Sequence, residues 1–197
     1  MQKLMLSCFD HSTVMAQPWA EAGYLCYCLD IAHPSGFERH GNIVTIGADV
    51  TRWYPALNHE WSFAAFFPPC THLAVSGARW FQGKGLRALS EAIGLVAVAA
   101  EIAEALQCPY LIENPVSTLA SYWRKPDYTF DPCDYGDGWT KKTCLWTGGG
   151  FVMPEKNRVP ITEPGKIHRL PPTDDRAQLR SLTPSGFARA VFEANRH

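Results

Sequence analysis

The sequence has no CxxC pair, no stretch approaching the ~18 apolar residues of a membrane span, and no internal repeat or low-complexity tract. Without CxxC spacing the usual zinc signatures are missing, so no metal site is expected. Without a long apolar run no membrane partner is expected. The first apolar run carries one lysine and is broken at Ser7 and Asp10, too short for a secretory h-region, so a cytoplasmic protein with reduced thiols is expected. An excess of either charge is absent too: the formal net charge is −1, so no strong overall field draws the chain to nucleic acid, although a local basic patch is compatible with it.

What is there describes a globular protein. Of 197 residues, 46% are hydrophobic and 19% charged, enough apolar material for one domain over 1–197 with a substantial core. Seven cysteines form no disulfide-like framework, and Cys26 and Cys28 alternate with their neighbours as buried strand residues do.

The apolar pattern predicts strands at Lys3–Phe9, Tyr24–Leu29, Asn42–Ile46, Trp61–Phe67 and Tyr110–Ile112, with another over Lys142–Trp146. Asp10–Thr13 reads as the cap of a helix reaching Gly23, and Ala88–Leu106 as a long helix. An irregular excursion over about 148–182 precedes a capped terminal helix, Thr183–Asn195. Strands alternating with helices predict an α/β fold with a parallel, doubly wound sheet. The polar residues Asp10, Asp30, Asp49, Cys70 and Glu113 then fall at the ends of successive strands, on the rim where such sheets bind ligands.

Two of these ends are unusual. Trp61–Phe67 runs into Pro68-Pro69-Cys70, and two prolines fix φ and withhold backbone donors, so the thiol sits on a stiff corner. Tyr110–Ile112 runs into Glu113-Asn114-Pro115. A thiol and a carboxyl at neighbouring strand ends suit covalent attack on a ring that is protonated or held by hydrogen bond at the same moment. The bland alternative is a small buried cysteine and a helix-capping glutamate.

Asp30, Ala48-Asp49-Val50, Pro68-Pro69-Cys70 and Glu113-Asn114-Pro115, in this order along the chain, resemble the C5-cytosine DNA methyltransferase family, in a compact form of phage type with little room for target recognition. The resemblance implies a Rossmann-like S-adenosylmethionine-dependent methyltransferase sheet. It implies Cys70 as nucleophile and Glu113 as the group at N3 of cytosine. Phe9, Asp10, Asp30, Asp49 and Pro68 become cofactor contacts, and Asn114, Lys141, Lys142 and Arg79 substrate contacts. DNA is the implied partner, with an oligomer or accessory protein as one way to supply the missing recognition surface. The chain departs from the family's Phe-x-Gly-x-Gly-Gly opening: Phe9 is followed by Asp10-His-Ser-Thr13. Asp10 and His11 either replace those glycines or cap the next helix. Lys141 and Lys142 either hold the base or a phosphate, or form a solvated pair. The same chemistry on a free pyrimidine nucleotide or single strand, or a degenerate fold that only binds, stays open beside the leading reading.

Overall fold

The computed structural model describes residues 2–75, 81–169, 171, 173 and 176–196. Its elements in chain order are β1 (Leu4–Cys8), α1 (Gln17–Glu21), β2 (Leu25–Leu29), β3 (Gly36–His40), β4 (Ile43–Gly47), β5 (Trp61–Phe66) and α2 (Phe81–Ala105). There follow β6 (Tyr110–Pro115), α3 (Leu119–Tyr122), β7 (Tyr128–Phe130), β8 (Thr143–Gly148), α4 (Lys166–Arg169), α5 (Arg176–Ser181) and α6 (Ser185–Asn195). One eight-stranded sheet has the order β3-β4-β2-β1-β5-β6-β8-β7. Its centre, β4-β2-β1-β5-β6, is parallel, while β3 and β8 run antiparallel to their neighbours. This is the Rossmann-like α/β sheet with a parallel centre that the sequence led us to expect.

The two faces of the sheet are both covered, which is why its strands read as nearly continuous apolar runs. Leu4, Leu6 and Cys8 of β1 face one side, where Ala92, Val96, Ala99 and Ile102 of α2 pack on them. Met5, between them in sequence, faces the other side with Phe63, Leu111 and Leu145, beneath Trp19 of α1 and Phe187 and Val191 of α6. The period-2 alternation of strand side chains produces this division residue by residue. Among the described residues no helix is long and apolar enough to cross a membrane.

The sequence pattern shows no sign of β3, and three expectations need correction. The exposed strand β3 pairs with β4 in a hairpin that carries no apolar alternation, because all five of its residues face solvent at the sheet edge. Residues 10–13 do not cap a helix: α1 starts at Gln17 after Ala16, and residues 10–13 form a loop. Strand β6 does not stop at Ile112, because β8 pairs with it through Glu113, Asn114 and Pro115. The terminal helix begins at Ser185 with Pro184 in the cap position and no side-chain cap from Thr183.

The excursion before α6 has neither helix nor strand over 149–165 and is tied down at one buried acid. Asp134, 2% exposed, accepts hydrogen bonds from Lys156 and Arg158, each 2.8 Å, and from the backbone of Asp131. Backbone bonds from Asn157 to Asp134 and from Val159 to Cys133 complete the attachment. Gly186 brings the first turn of α6 against this region, where a Cβ would run into the carbonyl of Tyr135. At the far end Asn195 brackets Val152, accepting from its N–H and donating to its carbonyl.

Burial opposes ionisation of Asp134, but the Lys156 hydrogen bond and the cations beside it hold its carboxyl below the usual range. A lowered carboxyl contributes stability that is fully present above its unfolded value of ~3.9 and is lost as pH falls towards its native one. Asp134→Asn should therefore cost about 2 kcal/mol in chemical unfolding at pH 7, the scale of hydrogen bonds to a charged group. Between pH 4 and pH 2 the variant should lose less further stability than the wild type. Equal acid dependence in the two proteins would show that this carboxylate does not hold the strap.

Candidate active site

The parallel strands β4, β2, β1, β5 and β6 end on one rim, and this places Asp49, Asp30, Asp10, Cys70 and Glu113 along it in that spatial order. Because β8 runs the other way, its start reaches the same rim: Thr143 lies opposite Pro115, and Lys141 just precedes it. A lysine distant in sequence thus joins the thiol and the carboxyl.

The corner at Cys70 is fixed at several points. Phe67 still donates its N–H to Cys8, so the chain follows β1 to the last residue before the prolines. Pro68 is buried, and its carbonyl, facing a residue with no N–H, accepts from the Asn114 side-chain amide at 3.0 Å. Beyond the thiol, Leu73 and Ala74 both donate to the Cys70 carbonyl, closing a turn. That turn is stapled to the stretch after β6 by bonds from Thr118 to Leu73 and Val75 to Val116. Lys84 caps it by donating to the Thr71 carbonyl. All seven cysteines are free, and Cys70 alone is not fully buried.

Glu113 points from the opposite face of β6 to Asn114, into a pocket of about 220 Å³ with its mouth included. Phe67, Phe130 and Phe187 make the apolar walls, and Lys141, Thr143 and Thr183 supply polar groups. Its Oε1 is sealed from solvent and has no hydrogen-bond partner among the described residues. Burial raises the Glu113 carboxyl, with Lys141 opposing. Cys70 does not line this pocket, but it lies within the field of its charges. Burial and then Glu113 push its thiol up, while Lys141 and Arg180 pull it down. Burial thus shifts both groups towards their protonated forms, and a carboxyl in that form donates and accepts at once.

The other half of the rim is acidic. Asp49 caps the turn at Val50–Arg52, accepting from the Thr51 N–H and hydroxyl, which lowers its carboxyl. Asp30 accepts from the N–H of Ala32. The next residue after Asp30, Ile31, is 77% exposed, an apolar surface at the rim that sequence reading missed. An isoleucine directly after a strand-end acid was the available signal. Phe9 packs half-buried against the core with φ +58. Asp10 is turned inward: Ser7, Ser12 and the Thr13 N–H occupy its two oxygens, and burial raises its carboxyl despite them.

The expected substrate contacts divide. Lys141 lines the pocket; Lys142 is exposed and acts on Cys144 instead. Asn114 is 1% exposed and spends its amide on Pro68, so it holds the corner. Arg79 lies outside the described residues. Thr183 and Phe187 had no signal as site residues, because only the packing of α6 brings them to Glu113.

No family model matches the sequence, and no curated protein matches it. Among solved structures it is similar to a W203A mutant of the 16S rRNA (adenine(1408)-N(1))-methyltransferase from Catenulisporales acidiphilia. The identity is 19% over 64% of this chain, with a TM-score of 0.32. The chain spans 60% of that enzyme's length. So distant a superposition carries nothing about the reaction, and the fold rests on the strand order above.

The fields at Cys70 give a direct expectation. Glu113→Gln removes the charge that raises the thiol, so the pH midpoint for alkylation of Cys70 should fall; Lys141→Met should raise it. Iodoacetamide labelling followed by peptide mass spectrometry across pH 6–11 reads both. Midpoints that do not move would separate the thiol from the Glu113 pocket.

Proposed function

We propose that the chain is an S-adenosylmethionine-dependent transferase that methylates C5 of cytosine through a covalent bond between Cys70 and C6. The observation that carries this reading is the unpartnered, sealed oxygen of Glu113 beside a thiol held on a proline corner. A buried acid without a partner costs stability unless a ligand completes it. A protonated carboxyl donates through O–H and accepts through C=O, which matches the adjacent N3 acceptor and N4 amine donor of cytosine.

In this reading the thiol loses its proton and the sulfur forms a bond to C6. The C5–C6 π electrons move into the ring, and the hydrogen bond from Glu113 at N3 stabilises the charge that arrives there. C5 becomes nucleophilic and takes a methyl group from a sulfonium, which is left as a thioether; C5 then gives its proton to water, and the electrons of that bond expel the sulfur from C6 as the Cys70 thiolate, restoring the ring. Lys141 lowers the thiol and lies on the Glu113 pocket, so it favours both the thiolate and the charged ring. Asp30, Asp49, Ile31 and Phe9 fit the adenosine part of the cofactor: an acceptor for ribose hydroxyls and apolar surface for a purine. S-adenosylmethionine would supply there an electrophilic methyl group.

DNA is the substrate we favour, and a base in a duplex would have to be flipped out at a few kcal/mol. One observation favours a single strand or a free nucleotide instead. The stretch before α6 is tied to the core at Asp134, which leaves little chain to read a duplex.

An oligodeoxynucleotide carrying 5-fluorocytosine should trap the wild type on Cys70, because fluorine at C5 cannot leave as a proton does. Cys70→Ala should abolish methyl transfer, and Glu113→Gln should slow it ~100-fold or more, the scale of losing a positioned proton donor. Duplex, single-strand and nucleotide forms of the probe rank the substrates. Methyl transfer undiminished in Cys70→Ala would remove the covalent mechanism.

A further inference from the structure

Two imidazoles meet on the rim above β1 and β2, outside the Glu113 pocket. His11 and His33 come from different loops, with ring centroids 4.9 Å apart. The position of His33 is built by its surroundings. Its backbone N–H donates to the Asp30 carbonyl at 3.2 Å, and its Nε2 lies 3.3 Å from the Asp10 carbonyl, so that nitrogen carries a proton. Gly47 lets the His33–Pro34 backbone lie directly on β4, where a Cβ would strike the Pro34 carbonyl. His11 sits in a loop with Phe9 and Thr13 both at φ +58, a left-handed backbone that side-chain-bearing residues adopt at a cost of ~1 kcal/mol or more.

That loop has already used backbone donors that a glycine-rich turn would offer to an anion. The N–H of Asp10 goes to the Leu29 carbonyl, that of Thr13 to the Asp10 carboxylate, and that of Val14 to the Ser12 hydroxyl. The Asp10 carboxylate is itself consumed within the loop. Beside the N–H groups of His11 and Ser12, what can meet an anion here is the pair of imidazoles.

The strand order says which anion. Under the function proposed above, adenosine lies at β4 and β2, beside Asp49 and Asp30, and the reacting base at β5 and β6, beside Cys70 and Glu113. Strand β1 lies between them, with neighbouring strands ~4.8 Å apart. A cofactor whose methyl group must reach from one half to the other lays its amino-acid end over β1. That end carries a carboxylate. We propose that His11 and His33 bind it, His33 as the imidazolium whose Nδ1–H is free while its Nε2–H stays on Asp10, doing with side chains what backbone N–H groups do in glycine-rich turns. The inference rests on the transferase reading.

Calorimetry with two probes tests it: S-adenosylhomocysteine, which has the amino-acid end, and 5′-methylthioadenosine, which lacks it. The wild type should bind the first about tenfold or more tightly than the second, the scale of hydrogen bonds to a charged group. His11→Ala, on an exposed residue, and His33→Gln, which can still donate to Asp10, should each weaken S-adenosylhomocysteine severalfold and leave methylthioadenosine unchanged. Together they should erase the preference. Binding of neither probe to the wild type ends the transferase reading and this inference with it. A preference that survives both substitutions, or an equal loss for the two probes, overturns the histidine pair and leaves the transferase reading standing.

Discussion

The hydrogen bond from Asn114 to the Pro68 carbonyl is the constraint on which the rim arrangement depends. A proline pair ends pairing on β5 and leaves a buried carbonyl that the next residue cannot satisfy. Asn114 satisfies it from β6, and an unsatisfied carbonyl in its place would cost about 1–3 kcal/mol. The same bond has a geometric effect. Successive strand residues face opposite ways, so once Asn114 is committed to the proline corner, Glu113 must face the pocket beneath α6. The thiol's corner and the carboxyl's orientation are set together, and a one-residue slip of β6 would lose both.

Burial then determines the chemistry available at rest. The same apolar walls that exclude water raise both the Glu113 carboxyl and the Cys70 thiol. Glu113 therefore makes the native state relatively less stable as pH climbs from its unfolded value towards its raised native one, because the native state gives up that proton later. The unpartnered oxygen adds to this cost. Such features persist where the surrounding packing is strong, and here β6 sits between β5 and β8 with α2 and α6 covering the two faces.

The sequence made much of this legible, for identifiable reasons. Central strands buried on both faces leave apolar runs, so β1, β2, β4, β5 and most of β6 could be read within a residue or two, and the acids and the thiol that end them with them. The edge strand β3 could not be read, because Gly36-Phe-Glu-Arg-His40 has no buried side and hence no pattern. Asp10–Thr13 has the composition of a helix cap, yet tertiary bonds from Ser7 and to Leu29 took those groups for a loop. Lys141 could be suspected but not separated from Lys142, since only the direction of β8 decides which of them meets the pocket. Thr183, Phe187 and the His11–His33 pair depend on long-range packing and left no local trace.

The wall that closes the Glu113 pocket comes from Thr183, Pro184 and Phe187, far later in the chain than Cys70 and Glu113. During synthesis the sheet centre, with Cys70 and Glu113, emerges well before the residues that close the Glu113 pocket. For that interval Cys70, the one cysteine that the fold leaves partly exposed, stands at the edge of a half-built site. A thiol in that condition is open to oxidants and electrophiles in the surrounding medium. The order of the elements along the polypeptide thus sets a vulnerable period in the life of each molecule, which ends when the last helix docks.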